Sequence, residues 1–218
     1  MFYLNPHKYQ TKVIDVSLLL KLYHSGERNF SRIHLARGSL DEVNLSEINL
    51  RRANLEEINF SRTVLQKSNL DESNLMGSTL WHTDFKQASL FKARLSQAML
   101  IKADLTEANL QKIDLMNSDL RLACLEKANL QDADLSNANL SYANLKGANL
   151  KGANLSNAIL TGASLIETDL RETNLEGAIL DGVDLSRATI AKIAKRQHIF
   201  AKNRVNSPRE HQFVKRFF

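Results

Sequence analysis

The chain has 218 residues, a formal net charge of +5 at pH 7 and a sequence pI near 9.3. Its single cysteine, Cys124, excludes an intrachain disulfide framework and is typical of a reducing compartment. No stretch approaches the roughly 18–20 apolar residues of a membrane-spanning helix. No signal peptide is evident, so we expect a soluble cytoplasmic protein.

Residues 1–27 are predicted to form a leader followed by a capping helix. The first 13 residues show no periodic pattern and indicate a loose leader. Asp15 is a suitable N-cap, and Gly26 stands where a left-handed residue commonly ends a helix. Four apolar side chains share one helical face: Leu18, Leu19, Leu22 and Tyr23. We therefore expect a short amphipathic helix at about 15–25 that covers the first coil of the next segment.

The segment 28–190 carries a repeat of five residues. From Phe30 to Ile190, every fifth residue is Leu, Phe or Ile, at 33 consecutive positions. The residue two before each of these is usually small, and the residue just before is usually Asn or Asp. A typical unit reads Ala103-Asp104-Leu105-Thr106-Glu107. An internal repeat of fixed length indicates a solenoid.

The period of five excludes both regular secondary structures. In an α-helix, five residues turn the chain by about 140° net, so the Leu residues would spiral around every face. In a continuous strand, an odd repeat would send successive Leu residues to opposite faces. The arrangement that remains has three extended residues pointing in, out and in, followed by two residues that turn a corner.

Glycine and asparagine stand at the predicted corners. Both residues tolerate a positive φ, which the third residue of a type II turn requires. They occur two residues after a central Leu at these positions: Gly77, Asn117, Asn137, Gly147, Gly152, Asn157, Gly162, Gly177 and Gly182. Pro6 and Pro208 lie outside the repeat, where proline removes no ladder hydrogen bond.

The run of (Ala/Ser/Thr)-(Asn/Asp)-(Leu/Phe)-X-X units resembles the pentapeptide-repeat proteins. The resemblance implies an all-β solenoid, a right-handed quadrilateral β-helix with four units per coil and therefore about eight coils over 28–190. It would have a short N-terminal helical cap and a helical or flexible C-terminal tail, 191–218. The run from Leu18 to Phe30 resembles the lead-in of many cyanobacterial members of this family.

The sequence shows no constellation of catalytic or metal-binding residues. The six histidines are scattered and lack metal-ligand spacing: His7, His24, His34, His82, His198 and His211. Cys124 occupies an outward position without a histidine partner in the repeat, which favours an inert thiol. We therefore expect no enzymatic activity, no cofactor and no metal.

With 20 residues per coil, apolar residues gather on the outside of one face. They form a candidate partner-binding patch: Trp81, His82, Met99, Ile101, Leu122 and Tyr142. Ile159 is expected to stack on Ile179 further along the same face, whereas Met116 is placed elsewhere as an isolated residue. Exposed aromatic and apolar patches mark contact surfaces. The alternative is that the leader or the C-terminal tail of this chain covers the patch.

The basic character of the chain lies in its C-terminal segment. Residues 189–218 carry eight Lys or Arg against one Glu, a net +7, and residues 1–27 carry +1, which leaves −3 for residues 28–188. Lys215, Arg216, Phe217 and Phe218 form a candidate basic contact. The tail is interpreted as a cap on the last coil, as a contact for an acidic partner or membrane surface, or as a nucleic-acid contact, although no nucleic-acid motif supports the last.

These observations favour a non-enzymatic module that presents a rigid surface to a protein partner and regulates it. The alternative is a mimic of duplex DNA that modulates a type II topoisomerase such as gyrase, as some pentapeptide-repeat proteins are thought to be. A net charge of only −3 on the repeat and the lack of a projecting loop disfavour that alternative. We expect a monomer or a homodimer that binds neither nucleic acid nor a membrane, apart from surface contact by the tail.

Overall fold

The computed structural model describes residues 13–190, in which every coil of the chain takes 20 residues. Parallel pairing joins each outward residue to the residue 20 positions later, as in Asn29 with Asn49 and Asn49 with Asn69. The pairing continues in the same register up to Asp169 and Thr189. Since each unit has five residues, four units make one coil, as the resemblance implied.

On each of the four sides of a coil, a single residue pairs with the neighbouring coil. No longer strand forms within residues 13–190. Three backbone bonds per unit join neighbouring coils, and they are evident around Leu110. The Asn109 N–H donates to Ala88 O at 2.9 Å, the Leu110 N–H to Asn129 O at 2.8 Å, and the Lys112 N–H to Gln131 O at 3.0 Å. Neighbouring coils lie roughly 4.8 Å apart, the usual spacing of paired strands.

The corners are turns with a residue of positive φ at every fifth position from Arg32 to Gly182. The sequence predicted this backbone from the Gly and Asn residues, but Lys, Glu, Arg and Gln adopt it as well. An N–H···O bond closes most of these turns, for example from Ala53 to Leu50 O at 3.0 Å. A left-handed conformation costs an L-residue about 1–2 kcal/mol, so the pairing between coils must offset this strain at each such corner.

The interior is a stack of Leu and small side chains. Central residues such as Leu110 and Leu130 are fully buried, and Phe60 and Phe85 are the largest of these buried side chains. Most inward hydroxyls donate to backbone carbonyls; Thr63 Oγ1, for example, donates to Leu40 O at 2.6 Å. The core is therefore continuous along the axis and each coil packs on its neighbours.

Helix α1, Val16–His24, covers the first coil, where the sequence predicted a helix at about 15–25. The carboxylate of Asp15 accepts the Leu18 N–H at 2.7 Å and caps the helix. Leu19 is fully buried, and the Tyr23 hydroxyl donates to Ser46 O in the body at 2.9 Å. Apolar packing and this hydrogen bond together hold the helix over the open end.

The chain just before α1 differs from the prediction of a loose leader up to residue 13. Val13 pairs in parallel with His34, and the Ile14 N–H donates to His34 O at 3.3 Å. Buried Ile14 joins the core, which explains why this stretch is ordered against the first coil. Residues 1–12 of the predicted leader and the predicted tail 191–218 lie outside the described residues.

Candidate protein-interaction surface

The 20-residue register aligns the candidate patch along one corner of the rod. We call this the apolar corner: Trp81, His82, Ile101, Leu122 and Tyr142, with Met99 beside it on the preceding flat side. The His82 N–H donates to Ile101 O at 3.1 Å, and the Leu122 N–H donates to Ser141 O at 3.0 Å. Met99 pairs with Thr79 on one side and Asp119 on the other. Consecutive coils therefore place these residues next to each other.

Three apolar side chains of the apolar corner and the neighbouring Met99 are open to solvent. The exposed fractions are 41% for Trp81, 45% for Met99, 50% for Leu122 and 63% for Tyr142. Ile101, between them, is half-buried. Burial of apolar area is the main source of binding free energy, so a partner that covers this surface is bound favourably.

Trp81 is held by its neighbours. Its ring meets the His82 imidazole edge-on, with the ring centroids 4.7 Å apart and an interplanar angle of 71°. The Arg62 guanidinium lies 5.7 Å from the Trp81 ring centroid, and Arg62 Nη2 also lies 2.6 Å from Glu42 Oε1. The indole is thus oriented before any partner arrives, which lowers the entropy cost of binding.

Tyr142 lies on a glycine of the next coil. A Cβ at Gly162 would stand 2.6 Å from Tyr142 Cε1, and the φ of Gly162 is +66°. A side chain at position 162 would clash with the phenol ring where it now lies, so this packing requires glycine. The tyrosine ring therefore packs against Gly162, and the sequence alone did not reveal this role of the glycine.

The cations of the apolar corner differ in their partners. Arg121 binds Asp119, with Arg121 Nη2 and Asp119 Oδ2 2.7 Å apart, and this hydrogen bond raises the pKa of Arg121. Lys102 stands between His82 and Leu122 and has no ion-pair partner within residues 13–190. One unpaired cation therefore lies among the apolar side chains.

Met116, which the sequence analysis placed away from the patch, lies at the neighbouring corner of the rod. Its side chain is 37% exposed, and its carbonyl accepts the Gln97 N–H at 2.9 Å, two residues before Met99. Met116 thus stands at the other edge of the flat side that carries Met99. Ile159 pairs with Ile179 in the column of Met99, as expected.

The flat side beyond the apolar corner carries a hydrogen-bonded charge cluster. Lys86 Nζ lies 2.9 Å from Asp104 Oδ2, and the Thr106 hydroxyl donates to Asp104 at 2.6 Å. Burial acts to raise the pKa of Asp104, but the hydrogen bonds from Thr106 and Lys86 outweigh it and lower the pKa. Half-buried Cys124 lies 3.2 Å from Thr106 Oγ1. The cluster therefore holds the charged Asp104 carboxylate in place among the outward side chains that stack from coil to coil.

Within residues 13–190, no group of three or more His, Cys, Asp or Glu side chains is arranged to hold a metal ion. The same part of the chain contains no helix of the length and apolar character that a membrane crossing requires. The candidate contact of Lys215, Arg216, Phe217 and Phe218 lies outside the described residues.

Comparison with known proteins identifies the family. The family model for pentapeptide repeats (8 copies) matches overlapping segments from residue 29 to residue 187. No curated protein sequence matches. HetL, a pentapeptide repeat protein involved in heterocyst differentiation regulation from the cyanobacterium Nostoc sp. strain PCC 7120, has a similar structure. It is 30% identical with a TM-score of 0.55, over 81% of this chain and 94% of HetL.

Trypsin-treated QnrB1, a plasmid-mediated fluoroquinolone resistance protein, shares the fold. It is 21% identical with a TM-score of 0.61, over 70% of this chain and 79% of QnrB1. The family fold is a right-handed quadrilateral β-helix, in agreement with the 20-residue register of this chain. The chain belongs to the pentapeptide-repeat family.

Proposed function

We propose that this protein is a non-enzymatic interaction module, a rod of about eight coils that binds a protein partner through the apolar corner and so regulates it. The observation that carries the proposal is the exposure of Trp81, Leu122 and Tyr142 side by side on a rigid scaffold. Aromatic residues presented in this way are the usual anchors of protein interfaces. The similarity to HetL, which is described as involved in regulation, supports the same class of role.

Affinity capture from lysate with the double variant Trp81→Ala/Tyr142→Ala tests the proposal. Neither side chain is in the core, since 41% and 63% of them are exposed, so the rod is expected to keep its circular dichroism spectrum. A partner enriched by the unaltered protein is expected to be lost from the variant. Retention of every enriched partner by the double variant contradicts the proposal.

A matched control changes another corner of the same rod. Phe91→Ala/Lys112→Ala removes an aromatic ring and a long side chain from the same two turn positions at another corner, although these two residues are one coil apart and Trp81 and Tyr142 are three coils apart. This control is expected to capture the same partner as the unaltered protein. Loss of capture in both variants would indicate a general effect on the rod.

The basic tail is a second proposed contact, at Lys215, Arg216, Phe217 and Phe218. It is tested by capture with a chain that ends at Ile190. A partner kept by the shortened chain assigns recognition to the rod, and a partner lost with the tail assigns it to the tail. Size-exclusion chromatography of both chains also distinguishes a monomer from a homodimer.

The mimicry of duplex DNA is the weaker candidate. Ion pairs between neighbouring coils neutralise part of the acidic surface, as in Glu72 with Arg51 and Arg52, and these hydrogen bonds lower the pKa of Glu72. Duplex DNA carries an unbroken row of negative charges. A gyrase supercoiling assay is expected to show neither inhibition nor protection from quinolones.

A further inference from the structure

We propose that the partner of the apolar corner is a short acidic segment, in which an Asp or Glu flanks one or more large apolar side chains and pairs with Lys102. This inference rests on the proposed function and specifies the chemistry of the partner. It follows from the charges, the spacing and the shape of the corner.

The charge pattern of the corner is one-sided. The two turn columns contain no carboxylate over five coil spacings: Ser61, Trp81, Ile101, Arg121, Ser141, Thr161 in one column and Arg62, His82, Lys102, Leu122, Tyr142, Gly162 in the other. Two of the cations are already neutralised, Arg62 by Glu42 and Arg121 by Asp119. Lys102 is the cation in these columns with no ion-pair partner among residues 13–190.

The position of Lys102 means that its charge affects which partner can bind. It stands one coil from His82 and from Leu122, and it directly follows Ile101 in the chain, so a segment that covers these side chains lies within reach of the Lys102 ammonium group. A covered cation without a counter-charge costs free energy, because it loses water and gains nothing. A carboxylate in the partner offsets that loss and also excludes basic competitors.

The length of the corner sets the size of the segment. Trp81 and Tyr142 are separated by about three coil spacings, roughly 14 Å at about 4.8 Å each. That span corresponds to roughly ten residues of an α-helix or four to five residues of an extended chain. The surface therefore suits a short peptide segment with two apolar anchors and the carboxylate between them.

Two other occupants fit the charges less well. The C-terminal tail contains apolar residues but carries a net +7 over residues 189–218, so it repels Lys102 and Arg121. A second copy docked through the same corner about a two-fold axis brings the two Lys102 side chains towards each other. Both arrangements leave the unpaired cation without a counter-charge.

The test is selection of phage-displayed random 12-residue peptides on the immobilised full-length protein, followed by affinity measurement on synthetic peptides by fluorescence anisotropy. Enriched peptides are expected to combine Asp or Glu with Trp, Phe or Leu. The charge reversal Lys102→Glu is expected to weaken these peptides at least about tenfold and to select Lys- or Arg-containing peptides instead. Lys112→Glu, at the equivalent turn position on another corner, is the matched control and is expected to leave affinity unchanged.

The outcomes separate the inference from the function on which it rests. Peptides that need Trp81 and Tyr142 but show no acidic preference, and that bind Lys102→Glu equally well, overturn the inference while the binding surface stands. Enrichment of basic, phenylalanine-rich peptides similar to residues 213–218 also overturns it, because the tail is then the occupant. If no enriched peptide is affected by Trp81→Ala/Tyr142→Ala, the proposed function itself fails.

Discussion

The replacement Ser78→Ala is expected to stabilise the protein, although Ser78 lies in the core. Its side chain is fully buried, and among residues 13–190 its Oγ is a buried polar atom without a hydrogen-bond partner. Other inward serines donate to a turn carbonyl, such as Ser73 to Leu70 O at 2.7 Å. The next coil already has alanine at the same inward position, Ala98. Alanine therefore fits the space and removes the unsatisfied group.

The size of the effect follows from the cost of an unsatisfied hydroxyl. A buried donor without a partner costs about 1–3 kcal/mol, so Ser78→Ala is expected to raise the free energy of unfolding by about that amount. For a chain of this size, about 2 kcal/mol corresponds to a rise in Tm of about 4–8 °C. Urea unfolding followed by circular dichroism measures the first quantity and scanning calorimetry the second.

The control is the same substitution at a satisfied serine. Ser73→Ala loses one hydrogen bond, while Leu70 O keeps the bond from the backbone N–H of residue 73 at 3.1 Å, so a loss of about 0.5–1.5 kcal/mol or no change is expected. If Ser78→Ala is neutral or destabilising, or if both variants gain equally, the argument from the unsatisfied hydroxyl is wrong.

Three further predictions follow from the coil geometry. Leu110→Ala, in a fully buried central position, is expected to lower the free energy of unfolding by about 2–5 kcal/mol, measured with urea. Leu185→Ala, in the partly exposed last coil, is expected to lower it clearly less. Equal losses of stability in the two variants would contradict a fold in which each coil is stabilised by the coils on either side. Gly162→Ala and Gly182→Ala share a positive φ, but only the first meets an aromatic ring, so similar stabilities and weaker partner capture by the first alone are expected. Asp15→Ala should speed hydrogen exchange in α1 and the first coil at pH 7, whereas Asp15→Asn should largely preserve protection.

The same cap predicts a dependence on pH. The hydrogen bond from the Leu18 N–H, followed by that from Ser17, lowers the pKa of Asp15 in the folded protein. A carboxylate with a lowered pKa stabilises the fold above its unfolded pKa of about 3.9. That contribution is lost as the pH falls through the folded value. The protection factors in α1, which correct for the intrinsic effect of pH on exchange, are therefore expected to fall below about pH 4 in the unaltered protein and to change less in Asp15→Asn.

The sequence was sufficient to predict the backbone of the repeat. The spacing of the central residues allowed only an in–out–in unit with a corner, and the structure has inward Leu side chains and a positive φ at each corner from Arg32 to Gly182. The helix over the first coil could also be predicted, since Asp15 and the apolar face of Leu18 and Leu19 are local signals. These features depend on residues close in sequence.

Only the tertiary structure decided how neighbouring coils use their surface side chains. The packing of Tyr142 on Gly162 and the unsatisfied hydroxyl of Ser78 each depend on the coil register and on side-chain rotamers. The five-residue period is the same for any number of units per coil, so the sequence pattern by itself leaves open which residues become neighbours. It determined what points outward, and the 20-residue coil determined that Trp81, Lys102 and Tyr142 share one corner.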